Sequence, residues 1–338
     1  MNIEKEFNEF YNKFISENRN IFDEVELSRH KAVEERKLNK KIIFITEIVL
    51  LAIIIIIISI FINTKNQALA NFATLPISLM WMIPMIIVLT KRKKLDKYDN
   101  SIYREKVIKK LIEAFDPNLE YIPNGTIDFN EFKKIDTEHF NNFFSSNVIK
   151  GVYNSCDITI AKVITDYDYY DFSTNSNNVD HYDTFDGLFA RVKLPYSSNI
   201  QLYLKEKKSV FKYLFNIFLG DIYQVSKSDS EEKFLKNTYE RVEVKDLNEF
   251  FNIYTSNPSK AEDLLDSELN KILINIYNNE KYEIAIKDNI VYMKFWINGL
   301  FSSPPLKKET DDKEIIYKNY KMLYIIFYLI TRLKEKVL

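Results

Sequence analysis

The 338 residues carry 47 lysines and arginines against 48 aspartates and glutamates, so a net charge of −1 gives the whole chain no bulk attraction for nucleic acid. A lone cysteine, Cys156, excludes an intrachain disulfide framework. Glycines stand only at 125, 151, 187, 220 and 299, which excludes the phosphate-cradling GxGxxG and P-loop motifs.

The length suits two domains. Lysine outnumbers arginine, and Asn, Ile, Tyr and Phe are abundant, as expected of an AT-rich bacterial genome. With 22 Tyr and 25 Phe in the chain, an aromatic cluster says little about binding.

Residues 1–41 read as one or two amphipathic helices, with Phe7, Phe10, Tyr11, Phe14 and Ile15 at three- and four-residue spacing. Nine bases and nine acids balance in this segment. It can pack on the soluble domain, lie on a membrane surface or self-associate. The balanced charge favours packing or a coiled-coil contact over a lipid-binding helix, whose polar face is usually basic.

The run 42–62 is apolar but for Glu47 and contains six consecutive isoleucines. As a helix it would be about 31 Å long, close to the roughly 30 Å hydrocarbon core of a bilayer. A soluble core helix rarely stays apolar on all faces for that length. The connector 63–67 is short and polar, and a second uncharged run covers 68–90, with Pro76 and Pro84 as kink points that spans tolerate. The expectation is a two-helix transmembrane hairpin. Forty-one residues, many charged, precede the first run, which makes it unlike a cleavable signal peptide. Arg29, Lys31, Arg36, Lys37, Lys40 and Lys41 flank one end of the hairpin, and Lys91, Arg92, Lys93, Lys94 and Lys97 the other, against Lys65 alone in the connector. Eleven bases against one place both termini in the cytoplasm of a bacterium, at its inner membrane. An ionisable residue in a span is a functional candidate by default. Glu47 stands near the cytosolic end, however, within reach of headgroups or the basic flank, and span two offers no charged partner for a conduction path.

Residues 98–338 form the expected cytosolic domain, α+β with mainly antiparallel sheet. With 32 basic and 37 acidic residues it lacks the charge of a nucleic-acid binder. A helix is predicted at 100–115, capped by Asp99 or Asn100 and ended by Asp116-Pro117, and another at 128–145. Strands are predicted at 156–165, 186–194 and 199–207. Pro258 opens a helix with Ala261, Leu264, Leu265, Leu269, Ile272 and Ile276 on one face. "KYEIAI" and "IVYMKFWI" read as a hairpin across Asp288-Asn289. A last helix covers 313–336, its nine-residue "MLYIIFYLI" too short to span and therefore buried.

The acidic stretch 165–187 holds six aspartates and reads as a solvated hairpin loop. Asp166, Asp168 and Asp171 offer hard oxygen ligands, but the spacing lacks the Gly and Glu of a calcium loop. Asp180, His181 and Asp183 could orient a histidine for proton transfer, although a loop holds such geometry poorly. Cys156 stands beside Asp157, which does not favour a thiolate. His30, His139 and His181 show no zinc spacing. No catalytic, cofactor-binding or metal-binding residue is assigned on this basis, and no cofactor is implied.

Several segments resemble a family of bacterial membrane proteins termed Domain of Unknown Function 3137: "FDPNLEYIP" (115–123), "IKGVYNSCDITIAKVIT" (149–165), "TFDGLFARVKLP" (184–195), "VKDLNEFFNIYTSNPSKAEDLLDSELNKIL" (244–273) and "NIVYMKFWINGLF" (289–301). The F-x-G-L-F element after a variable acidic loop is the most specific. The chain departs from the pattern at 256–265, where a tyrosine-containing turn is expected. The resemblance implies an N-terminal helical segment and a two-span hairpin before a soluble domain, and hints at a LemA-like membrane protein as partner. It supplies no activity. Three functions stay open: a membrane-tethered interaction or scaffold module, which is favoured and would touch lipid, a protein partner or a second copy of itself; a ligand-binding domain or enzyme at the membrane surface; and an oligomeric channel or transporter subunit.

Overall fold

A computed structural model of the chain describes residues 3–64, 101–135, 140–170, 179–207, 233–306 and 308–337. The chain divides into two compact units. One comprises 1–9, 109–301 and 316–338; the other comprises 10–108 and 302–315.

The first unit is built on one antiparallel sheet. Its strands are β1 (Leu119–Ile122), β2 (Asn142–Tyr153), β3 (Cys156–Tyr170), β4 (Val179–Lys193), β5 (Gln201–Glu206), β6 (Glu240–Val242), β7 (Phe251–Thr255), β8 (Tyr282–Lys287) and β9 (Ile290–Trp296). Their order is β1-β2-β3-β4-β9-β8-β5-β7-β6, and every pairing is antiparallel. The α+β expectation with antiparallel sheet is met.

Alternation along the strands sends side chains to two faces. One face carries Val163, Phe185, Phe189, Tyr203, Tyr254 and Tyr292 in a buried cluster with Phe132. Phe132 belongs to α4 (Phe129–Lys133), which starts where Asp128 accepts from the Asn130 amide. The other face holds Ile160, Leu188, Val192, Met293, Phe295, Ile284 and Ile253, all buried. It is met by α6 (Ser267–Tyr277) and α7 (Lys313–Val337): the Tyr282 hydroxyl donates to Leu273 O at 2.9 Å, and Tyr153 meets Phe327 at 4.4 Å between ring centroids. The stretch 322–330 of α7 is largely buried, as its length required. Phe7, from α1 (Ile3–Glu17), packs on Tyr317 and Tyr320 at 4.8 and 5.3 Å.

In the second unit, α2 (Arg19–Thr64) is strapped to the segment 302–315. Glu26 accepts from Arg29 Nε at 2.9 Å and from the Thr310 amide at 3.2 Å, while Arg29 Nη1 donates to Leu306 O at 2.6 Å. The segment 1–41 is therefore two helices, and the second runs without a break through 41/42.

Several expectations need correction. The helix placed at 128–145 lasts five residues, because the following "NNFFSSNVIKGVY" is rich in Asn, Ser and β-branched residues and pairs instead as β2. The helix opened by Pro258 is two, α5 (Pro258–Leu264) and α6, since Asp266 takes extended geometry and caps α6 by accepting from the Leu269 amide at 2.9 Å. The helix at 100–115 contains a π-helical turn, Arg104–Ile108, before α3 (Lys109–Phe115); its expected caps at 99–100 lie outside the described residues. The loop 165–187 is mostly strand: β3 continues to Tyr170 and β4 begins at Val179, with Tyr167 opposite Tyr182 and Asp168 opposite His181. The strands β1, β6 and β7 and the reading of 142–153 as strand were not expected. The hairpin at Asp288-Asn289 is as read, with Asp288 left-handed at φ 56°. The transmembrane hairpin is not supported by this fold. Among the described residues no helix is long and apolar enough to cross a membrane. The second expected span, 68–90, and residues 65–67 of the connector lie outside the described residues, as do several side chains within 42–62, that of Glu47 included.

Candidate functional site

The candidate residues of the acidic stretch do not converge. Asp168 and His181 face each other in register on the β3–β4 ribbon, Asp171 and His139 lie outside the described residues, and the side chains of Asp168, Asp180, His181 and Asp183 are likewise outside them. Asp166 accepts from Asn142 Nδ2 at 2.5 Å, the role of a strand-end residue. His30 is exposed on α2, 3.1 Å from Glu26. Cys156 is buried at the start of β3, and burial pushes its thiol up against the smaller opposing pull of Lys334, the environment of an inert structural cysteine. Among the described residues no group of three His, Cys, Asp or Glu is placed to hold a metal ion.

The structure instead brings together residues that were not singled out for chemistry. Where β4 meets β9, a cleft of about 570 Å³ is lined by Thr184, Asp186, Glu280, Trp296, Asn298 and Lys318, among others. Each wall has a local cause. The β3–β4 ladder shifts register between Thr165 and Asp166, which leaves Thr184 as the extra residue of a bulge. Bulges re-aim side chains, and Thr184 Oγ1 donates to Thr165 O at 3.1 Å. Gly187 lets β4 approach β9 closely: a Cβ there would stand 1.9 Å from Phe295 O. Phe185 then packs edge-on against Trp296, with centroids 5.3 Å apart. Asp186, between Phe185 and Gly187, points to the opposite side of the strand.

The charges of the cleft are unevenly matched. Glu280 is paired with Lys321 at 2.9 Å. Asp186 has Lys162 Nζ at 3.6 Å, an ion pair too long to be a hydrogen bond. Its Oδ1 is buried and accepts from no described residue. Lys318 donates to the backbone carbonyl of Asn298 and, among the described residues, meets no carboxylate within salt-bridge distance.

A second charged group lies inside the aromatic face. Lys205, Glu283 and Lys294 form a row across β5, β8 and β9, with Lys205 Nζ 3.0 Å and Lys294 Nζ 3.7 Å from Glu283 Oε2. Lys294 is 2% exposed and sits over the rings of Trp296, Phe185 and Phe132 at 4.8, 5.1 and 5.7 Å. Because the row backs the Phe185–Trp296 wall, it fixes the cleft from behind.

This geometry defines a class, an antiparallel α+β domain with a polar cleft at one end of its central strands. The sequence comparison agrees with the resemblance: residues 183–335, from the strand that carries Asp186 into the last turns of α7, match the model described as "Protein of unknown function (DUF3137)". The match contains the F-x-G-L-F element and most of the cleft, whereas the resembling segments 115–123 and 149–165 precede it. No curated protein matches. A solved structure, the crystal structure of the mycobacterial trehalose monomycolate transport factor A, TtfA, is similar at 9% identity over 65% of this chain and 90% of that one, with a TM-score of 0.29.

The signal that could have found the cleft was present. "FDGLF" places a carboxylate beside a glycine in the middle of a strand, where glycine weakens the strand unless a close approach demands it.

Proposed function

We propose that the chain is a membrane-tethered interaction module, a hairpin in the bacterial inner membrane carrying an α+β domain on its cytoplasmic side. One observation carries this reading. The backbone of α2 is helical through the whole apolar run 42–62, and its described apolar side chains are uncovered: Phe44 is 62% exposed, Leu51 58% and Ile55 56%. Apolar surface of that extent is rare on a protein surrounded by water and marks contact with lipid or another protein. The basic flanks, together with the uncharged run 68–90, favour lipid and set the orientation. The domain then works by holding a partner at the membrane, for which a LemA-like membrane protein or a second copy of the chain is the first candidate.

The test is fractionation of the full chain at alkaline pH, with cross-linking in native membranes. The parent protein stays with the membrane, and Leu51→Arg combined with Ile55→Arg releases it, since each arginine costs about 3 kcal/mol of insertion relative to the residue replaced. Alkaline extraction of the parent chain would overturn the tether. Recovery of one stoichiometric cross-linked protein supports the interaction role.

A second reading is favoured by the cleft: the domain binds a small molecule. Its volume lies within the roughly 300–1,000 Å³ of ligand pockets, and polar residues form much of its lining.

A further inference from the structure

We propose that Asn298, on the wall of the cleft, is a self-modifying residue, converted to aspartate or isoaspartate through attack by the Gly299 amide with help from Lys318. The inference goes beyond both functional readings and rests on neither. Two of the five glycines follow an asparagine, Gly125 and Gly299. Ring closure is least hindered before glycine, because no Cβ stands beside the attacking nitrogen. In the reaction the Gly299 nitrogen gives up its proton to solvent base and bonds to Cγ of Asn298. Ammonia leaves, and water opens the resulting cyclic imide at either carbonyl. One opening restores the chain with an aspartate; the other routes the backbone through the side chain as isoaspartate.

Both asparagines are exposed, so exposure does not separate them. Their neighbouring amides do. The Gly125 amide donates to Ile122 O at 3.0 Å, and attack there must first give up that bond. Among the described residues the Gly299 amide donates to no acceptor, and Gly299 stands in a left-handed turn at φ 73°. Lys318 adds the catalytic element: its ammonium donates to the backbone carbonyl of Asn298. That carbonyl and the Gly299 N–H belong to one peptide group. Charge left when the nitrogen loses its proton spreads by resonance onto the oxygen that Lys318 holds. A charged donor already in place at such an oxygen lowers the barrier. Conversion puts a carboxylate beside Lys318 on the cleft wall, where the parent chain has a neutral amide. The isoaspartyl form also lengthens the backbone between β9 and Phe301, whose amide donates to Asn319 Oδ1 of α7 at 2.8 Å. The wall therefore changes charge and shape with the age of the molecule.

The experiment incubates the full-length protein, in detergent, in neutral and in mildly alkaline buffer made with heavy-oxygen water. Mass spectrometry follows the peptides that contain 298–299 and 124–125, and enzymatic methylation of isoaspartate gives a second readout. Conversion is expected at least tenfold faster at Asn298 than at Asn124, faster in the alkaline buffer, and with solvent oxygen retained. In guanidinium the two rates should converge. Lys318→Met and Lys318→Gln should each slow Asn298 threefold or more in the folded chain, whereas Lys318→Arg keeps close to the parent rate. Asn124 in the same digest reports whether a variant stays folded, since its conversion quickens once the Gly125 hydrogen bond is lost. An Asn298 that lasts as long as Asn124 in the folded parent overturns the proposal. So does an Asn298 rate unmoved by Lys318→Met and Lys318→Gln while Asn124 stays slow.

Discussion

At Glu283 the sequence hides what the fold requires. A Lys-Tyr-Glu-Ile alternation reads as a half-exposed strand with its charges in water. In the sheet Glu283 instead lies between Lys205 and Lys294, which are 8% and 2% exposed. Taking away one member of a buried ionic group is costly because the others stay desolvated. Glu283→Gln should lower unfolding stability by about 3–5 kcal/mol, read as a shifted denaturant midpoint. Replacing the whole row, with Lys205→Met, Glu283→Leu and Lys294→Met, should cost less than the single change. Gly187 tests the opposite kind of fit. Gly187→Ala drives a methyl into the Phe295 carbonyl, and overpacking of this kind costs about 1–3 kcal/mol. Its denaturation midpoint should fall, and Trp296 emission should shift because the cleft wall moves with β9. Glu283 was not legible as more than a strand position, since its row partners on β5 and β9 are set by register and not by spacing along the chain, whereas the mid-strand glycine of "FDGLF" was a readable sign of close approach.

Among the elements, those with local signals were readable. The β8–β9 hairpin announces itself by two alternating runs around Asp-Asn, and α7 by a long apolar stripe ended by lysines. The errors lie where tertiary pairing overrode local preference. The tyrosine–aspartate alternation at 166–170 looks like solvated loop by charge, yet β-prone tyrosines and an antiparallel partner extend the strand. The stretch 142–153 has aromatic and aliphatic residues at helical spacing, but the left-handed Asn147, at φ 55°, and a bulge beside it belong to a sheet. The break at Asp266 is the clearest case. Six apolar residues from Ala261 to Ile276 keep helical spacing across a site where the chain stops and starts again. Asp266 caps α6, and its carboxylate also meets Lys336 of α7. Both contacts hold it below the ordinary aspartate range, the Leu269 amide first. A lowered folded-state pKa gives stability that is present above the unfolded value near 3.9 and lost as pH falls through the folded one. Asp266→Ala should cost about 1 kcal/mol at neutral pH, as lost caps do. The gap between variant and parent should close in acid, which thermal melts over pH 2–7 would show.

The whole molecule carries its aromatic wealth as a liability in base. Burial raises Tyr203 and Tyr282 well beyond the ordinary phenol, and pushes Tyr277 and Tyr324 up to about 12, with Glu206 and Glu6 adding to the effect. In the unfolded chain these phenols ionise near 10. Above that pH the unfolded state binds fewer protons than the folded one, so stability falls as pH rises. The stabilisation is complete below about 10 and is lost as pH climbs through the folded-state values. Lys287 works the other way: burial, with help from Lys205 and Lys134, lowers its pKa, so its penalty eases as it loses its proton below the unfolded value near 10.4. One lysine is outnumbered by four tyrosines, and the balance favours alkaline unfolding. The melting temperature should therefore hold between pH 7 and about 9.5 and then drop steeply. The share of phenolate absorbance that belongs to the buried rings should appear in one cooperative step with loss of structure, because those rings ionise only when the fold opens, whereas exposed tyrosines such as Tyr196 ionise without it. Tyr277→Phe should make the alkaline limb shallower without moving its start. A gradual, non-cooperative rise that reaches the full phenolate absorbance of the unfolded chain with the fold intact would mean that these rings reach water, and the aromatic packing on both faces of the sheet would have to be redrawn.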